Sequence, residues 1–237
     1  MQRVWIQLDE VTSTMDVIRD YLRDGYPLGT VVLAGVQTGG RGRRGASWAN
    51  AGTACLMSFL IPVSEGLSPE AVPLLAGVAA FDAAASVCGD IGLAIKFPND
   101  ILRNGEKVAG VLVEQWDVFG SAVYVVGVGI NVAGPPALSD GVAAGALVPE
   151  SASDVPRKVA GHVISTVDGY LAKRTLTTEL LDDWNARHSG GYWRAHPTFG
   201  NVSVVRLAGL GHAVVTLTDG TSRSVSTSSL MIDGSGR

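Results

Sequence analysis

Little in this chain offers a metal cage or a disulfide framework. Two cysteines, Cys55 and Cys88, stand among 237 residues. Both sit in apolar stretches without a CxxC spacing, which argues for buried thiols rather than a zinc site or a bridge. His162, His188, His196 and His212 are scattered, and no pair has the i, i+4 spacing of a helical metal site. Positive charge is scarce as well: the formal net charge is −4 and charged residues make up only 17%. Proteins that hold nucleic acid by neutralising phosphates are normally net basic, so bulk binding of that kind is excluded and any basic site must be local. No stretch supplies 18 apolar residues free of charge and glycine, and no basic region followed by an apolar run opens the chain. The expectation is a cytoplasmic protein without an anchor and without an N-terminal DNA-reading domain. What is abundant is hydrophobic residue, 46% of the sequence, enough to build a packed core.

Along the chain the patterns mix strands and helices. Val4 to Leu8 alternates as a short strand, and Thr12, Ser13 or Thr14 caps a helix over Met15 to Leu22. Thr30 to Val36 reads as a buried strand running into the glycine-rich stretch Gly39 to Gly45. Thr53 to Ile61 is a further strand, and Ser68 to Val87 an Ala-rich helix. Leu93 to Phe97, the turn Pro98-Asn99-Asp100, a second turn at Asn104-Gly105 and Val108 to Val113 form hairpin-like pieces, followed by a strand over Val123 to Val132. Ala133 to Val155 is rich in Gly, Ala, Pro and Ser and reads as a surface connector. Helices are expected within Arg157 to Trp184, and short strands at Val202 to Leu207, Ala213 to Leu217 and Ser222 to Ser226, with Asp219-Gly220 as a hairpin turn.

Three stretches carry chemistry. In Gln37 to Trp48, glycines allow close backbone approach while Arg41, Arg43 and Arg44 can hold a carboxylate and a phosphate. The segment is neither a dinucleotide fingerprint, since no helix opens at Trp48, nor a Walker A loop, since Ala46 stands where that motif needs lysine. A solvated basic loop remains the alternative. In the second stretch, Lys96-Phe97-Pro98-Asn99-Asp100 precedes Lys107 to Glu114, so that two lysines and an aspartate flank one hairpin. This is the charge pattern of phosphoryl or nucleotidyl transfer, or else ordinary turn chemistry. In the third, Gly127 and Gly129 interrupt an apolar strand ahead of Asn131, which marks either close ligand approach or a bulge.

Taken in order, Ser13-Thr14, GRGRRG (Gly40 to Gly45), KFPND (Lys96 to Asp100), KVAGVLVE (Lys107 to Glu114) and GVGIN (Gly127 to Asn131) resemble the biotin protein ligase family. The resemblance implies an α/β (α+β) fold: a mixed-sheet catalytic domain of the biotin/lipoate ligase type over 1–190, then a small SH3-like β-barrel domain over 191–237. It implies ATP and Mg²⁺, with biotin as substrate, and transfer through biotinyl-5′-AMP to a lysine of a biotin carboxyl carrier domain; it leaves room for a homodimer. By the same likeness Lys107, Arg41 and Arg43 are catalytic, and Ser13, Thr14, Gln37, Gly40, Arg41, Lys107 and Gly110 bind biotin. Arg43, Arg44, Trp48, Lys96, Asn99 and Asn131 bind the adenylate, and Asp100 holds the metal. Met15 replaces the family's usual asparagine and removes a polar group from the pocket, while Phe97 replaces a tryptophan and keeps an aromatic wall. The rival readings are a lipoate or octanoate ligase, a nucleotide- or nucleic-acid-binding module built on the arginine loop, and a biotin binder without catalysis.

Overall fold

The computed structural model describes residues 2–42, 45–48, 52–63, 67–118, 120–134, 144–150, 153–173 and 176–231. Strand β1 (Val4–Val11) leads through helix α1 (Thr14–Arg23) to β2 (Thr30–Gln37). Then come β3 (Thr53–Pro62), helix α2 (Ala71–Cys88), β4 (Leu93–Lys96), β5 (Asp100–Arg103), β6 (Glu106–Val118) and β7 (Ser121–Ala133). These strands form one sheet in the order β1-β2-β3-β7-β6-β5-β4. The β1–β2 pair is parallel, as the helical crossover between them requires, and every other pair is antiparallel. Helices α3 (Val155–Leu171) and α4 (Leu176–Arg187) follow. The chain ends in a second sheet of β8 (Trp193–His196), β9 (Gly200–Gly209), β10 (His212–Leu217) and β11 (Ser222–Ser226), with a short α5 (Thr227–Met231).

The period of two along each central strand divides the sheet between two apolar layers. Val31 and Leu33 of β2, Met57 and Phe59 of β3, and Tyr124, Val126 and Val128 of β7 point toward α2, α3 and α4. Val32, Leu60, Val123 and Val125 point the other way, against Met15, Ile18 and Leu22 of α1. Helix α1 is apolar only on that stripe, its other face carrying Asp16, Arg19, Asp20 and Arg23. Helix α2 is apolar all round and lies at the centre of the opposite layer. By composition it is long enough to cross a membrane, yet 67% of it is buried inside the protein, as a core helix is.

The second sheet shares the larger apolar cluster through Val202, Val204, Leu207, Val215 and Val225. His188 joins the two sheets: Nδ1 lies 2.8 Å from the Ile95 carbonyl of β4 and Nε2 3.0 Å from the Val204 carbonyl of β9. Arg194 adds a bond from Nη1 to the Phe97 carbonyl at 3.1 Å.

Two expectations are corrected. The stretch 133–155 is not wholly a surface connector. Its described part, 144–150, runs beside the ends of β6 and β7, with Leu147 fully buried and paired by backbone hydrogen bonds; glycine and alanine hid an element that has almost no side-chain periodicity. Cys88 is only half-buried at the end of α2, whereas Cys55 is fully buried in β3.

Burial pushes the Cys55 thiol up to about 12, and raises that of Cys88 too. The thiolate is the reacting form, so Cys55 is expected to resist alkylation at pH 8 and Cys88 to react slowly, with both becoming equally reactive on unfolding. Mass spectrometry of iodoacetamide-treated protein checks this. The sign for stability follows: the contribution is present below the ordinary value of 9.0 and falls as pH rises above it, because the unfolded Cys55 ionises first.

Candidate active site

On the face of the sheet that carries α1, β7 places Val123 and Val125 beneath the helix and then, at the same parity, Gly127 and Gly129. Gly110 of β6 pairs with Gly129. Where the valines fill the layer, this stripe of absent side chains leaves a cleft of about 250 Å³. Its glycines let neighbouring side chains come close. A Cβ on Gly127 would lie 2.8 Å from the Met15 sulfur, and one on Gly129 2.6 Å from the Trp48 indole. Met15, the departure from the asparagine of the family motif, is thus accommodated by a glycine opposite it.

The N-terminus of α1 forms one wall. Ser13 is the N-cap residue with extended backbone (φ −156°, ψ 134°), but its hydroxyl makes no capping bond; it is 2% exposed and lines the cleft. The Thr14 amide and hydroxyl both donate to Gln37 Oε1, at 2.8 and 3.0 Å, and the hydroxyl also meets Ser58 Oγ at 2.8 Å. Ser58, a fully buried polar residue in an apolar strand, escaped the sequence reading although its polarity was the signal. The glycine-rich segment covers another side, with Trp48 resting on Gly110 and Gly129 and its amide donating to the Gly40 carbonyl at 2.9 Å.

Both cations at the mouth are held by carboxylates. Arg41 pairs bidentately with Asp16, with both contacts at 2.9 Å. Lys107 Nζ lies 2.7 Å from Asp100 Oδ1 and 5.7 Å from the Trp48 ring centre. Ser13, Thr14, Gln37, Arg41, Trp48, Asp100, Lys107 and Gly110 therefore converge on one cleft, from segments up to about a hundred residues apart in sequence.

Four other residues named from the sequence, Gly40, Lys96, Asn99 and Asn131, are not in its lining. Gly40 is buried at the base of the loop. The Asn99 amide donates to the Val111 carbonyl and fixes the Pro98-Asn99-Asp100 turn. Asn131 donates through Nδ2 to the Gly145 carbonyl at 3.0 Å. Lys96 lies with its ammonium 5.2 Å from the Tyr192 ring centre. Phe97 is no wall of the cleft: it is buried against Trp184, edge to face at 6.1 Å. Motif membership conceals this, because neighbours on a turn point to opposite faces. Arg43 and Arg44 lie outside the described residues.

Gly129→Ala is expected to raise the dissociation constant for a small acid about tenfold, or ~1.4 kcal/mol, by displacing the indole and narrowing the cleft, with the fold retained. Titration calorimetry alongside a melting curve measures both effects.

Fold and cleft define the class: a mixed α/β domain whose glycine-floored pocket carries a lysine and an arginine in its lining, followed by a small antiparallel β unit. The model of the Biotin/lipoate A/B protein ligase family matches residues 7–131, and the chain belongs to that family. It is 32% identical over 200 residues to a biotin–[acetyl-CoA-carboxylase] ligase of Mycobacterium tuberculosis, covering 77% of this chain and 71% of that one. With the ligase of the same designation from Paracoccus denitrificans it shares 43% identity over 108 residues, 44% of this chain and 45% of the relative, so the match spans less than half of that protein's length. The solved biotin protein ligase of Leishmania major in complex with biotin superposes with a TM-score of 0.67 at 25% identity, covering 95% of this chain and 99% of that one.

Proposed function

We propose that this chain is a biotin protein ligase. The observation that carries the reading is the convergence of Lys107, Arg41 and the Ser13–Thr14–Gln37 wall on one cleft, in a fold shared with a ligase solved with biotin.

The reaction runs in two steps. A carboxylate oxygen of biotin attacks the α-phosphorus of ATP, forming biotinyl-5′-AMP as pyrophosphate leaves. The amine of an acceptor lysine, on a biotin carboxyl carrier domain, then attacks the acyl carbon. An amide forms, AMP departs, and the amine loses a proton. The first step forces two anions together, and Lys107 answers it: its ammonium offsets their repulsion and meets the charge that develops on the phosphorus. Arg41 supplies a second cation once the substrate anions compete it away from Asp16. The Ser13 hydroxyl and the Thr14–Gln37–Ser58 network hold polar atoms of the ring head group. That polar wall favours biotin over lipoate, whose acyl end is apolar.

Magnesium enters as the counter-ion of the nucleotide. Among the described residues no group of three or more acidic, histidine or cysteine side chains gathers to hold a metal, and Asp100, the carboxylate in the lining, is engaged by Lys107. Asp100 is the side chain that would help hold a nucleotide-borne magnesium, which the substrate phosphates and one or two protein carboxylates usually share.

Incubation with ATP, Mg²⁺, labelled biotin and a carrier domain should label the carrier on lysine. Transfer of lipoate but not biotin would replace the substrate, and absence of pyrophosphate release with either acid would remove the ligase reading.

A further inference from the structure

Lys107 stands where the sheet forks. The β6–β7 ladder runs from Val118 opposite Ser121 to Ala109 opposite Ile130 and stops there. Beyond that point β6 keeps β5 on one side, through a register irregularity between Ile101 and Leu102. On the other side the gap between the parting strands is filled by residues 144–148. The Gly145 amide donates to the Lys107 carbonyl at 2.9 Å, while the Leu147 and Val148 amides donate to the carbonyls of Asn131 and Val132, each at 3.0 Å. The segment is a splint: it joins the backbone under Lys107 to β7 where the two strands no longer touch.

Arg103, at the end of β5, donates its guanidinium to the Leu147 carbonyl, and its buried Nε has no hydrogen-bond partner among the described residues. Gly145 permits the splint to lie flat, since a Cβ there would come within 2.9 Å of Glu106 Cβ.

We propose that Arg103 is a positioning residue for Lys107: by clamping the splint at Leu147 it fixes the backbone from which the ammonium is aimed into the cleft. This rests on the reading above, in which Lys107 serves adenylate formation. A side chain that slides because its backbone has lost one flank misplaces charge in the transition state more than in the bound ground state, so the loss falls on kcat.

The test uses the whole chain with Arg103→Met, which keeps the stem and removes the donors, and Arg103→Lys, which restores one. In biotin- and ATP-dependent pyrophosphate release, Arg103→Met should lower kcat about tenfold with KM for both substrates nearly unchanged, and Arg103→Lys should recover most of the loss. In a Lys107→Ala background the Met substitution should add no further loss, because both changes remove one contribution. Hydrogen exchange should quicken at the Gly145 and Leu147 amides and stay constant in the β3–β7 centre. A raised KM for ATP at constant kcat, an additive loss with Lys107→Ala, or unchanged exchange at those two amides would overturn the proposal. If the wild-type chain releases no pyrophosphate, it is the ligase reading that falls, and the exchange measurement still decides whether Arg103 holds the splint.

Discussion

Lys107→Ala is expected to slow adenylate formation about a hundredfold or more, a loss of roughly 3 kcal/mol in the barrier. Removing the ammonium also strips Asp100 of its partner at 2.7 Å, leaving an uncompensated carboxylate beside the place where two further anions must meet. The double substitution Lys107→Ala with Asp100→Asn should therefore be faster than Lys107→Ala alone. Lys107→Arg should fall between: it keeps the charge but brings a broad planar group against Trp48 and the glycine floor. Single-turnover pyrophosphate release separates these variants. A Lys107→Ala rate within about threefold of wild type would mean that the charge at this position is not what lowers the barrier.

Trp184→Ala is expected to cost about 3–5 kcal/mol of folding stability. The residue is fully buried, meets Phe97 edge to face and stacks on His188 at 4.5 Å and 19°. Through His188 it braces the contact between β4 and β9, and through Phe97 the turn that ends in Asp100. Truncation thus opens a cavity where the two sheets join and frees the strand end carrying one of the cleft's charged groups. Trp184→Phe should be far milder, because the buried indole Nε1 has no hydrogen-bond partner among the described residues to lose. Denaturant unfolding measures both. A loss below ~1 kcal/mol for the alanine variant would show that neighbouring side chains collapse into the space.

Much of the site could be read from the residue types. Gly127 and Gly129 inside an apolar strand signalled close approach, and the GRGRRG segment with Lys107 signalled paired anions; Arg41, Gly42, Lys107, Gly127 and Gly129 line the cleft, and Arg43 and Arg44 lie outside the described residues. The central strands were legible as apolar runs, since they bury both faces, but β6 continues to Val118, beyond the expected Val113, and β8 (Trp193–His196) was not foreseen. What escaped detection depended on long-range geometry. Alternation gives two faces to a strand without saying which one bears the cleft, so Phe97 and Lys96 were grouped with Asp100 although they turn toward α4 and Tyr192. Arg103 belongs to none of the motifs and carries no signal in the sequence. The splint at 144–148 has no apolar repeat, and what holds it are backbone bonds to β6 and β7.

The alternation of valine and glycine along β7 has an evolutionary corollary. A one-residue slip of β7 against its neighbours would exchange the strand's two faces. Val126 and Val128 would then plug the cleft, while the glycines would open voids beneath α2. No frame-shifted form of the strand keeps a sound interior while losing only its chemistry. Selection for a foldable chain therefore also guards the pocket.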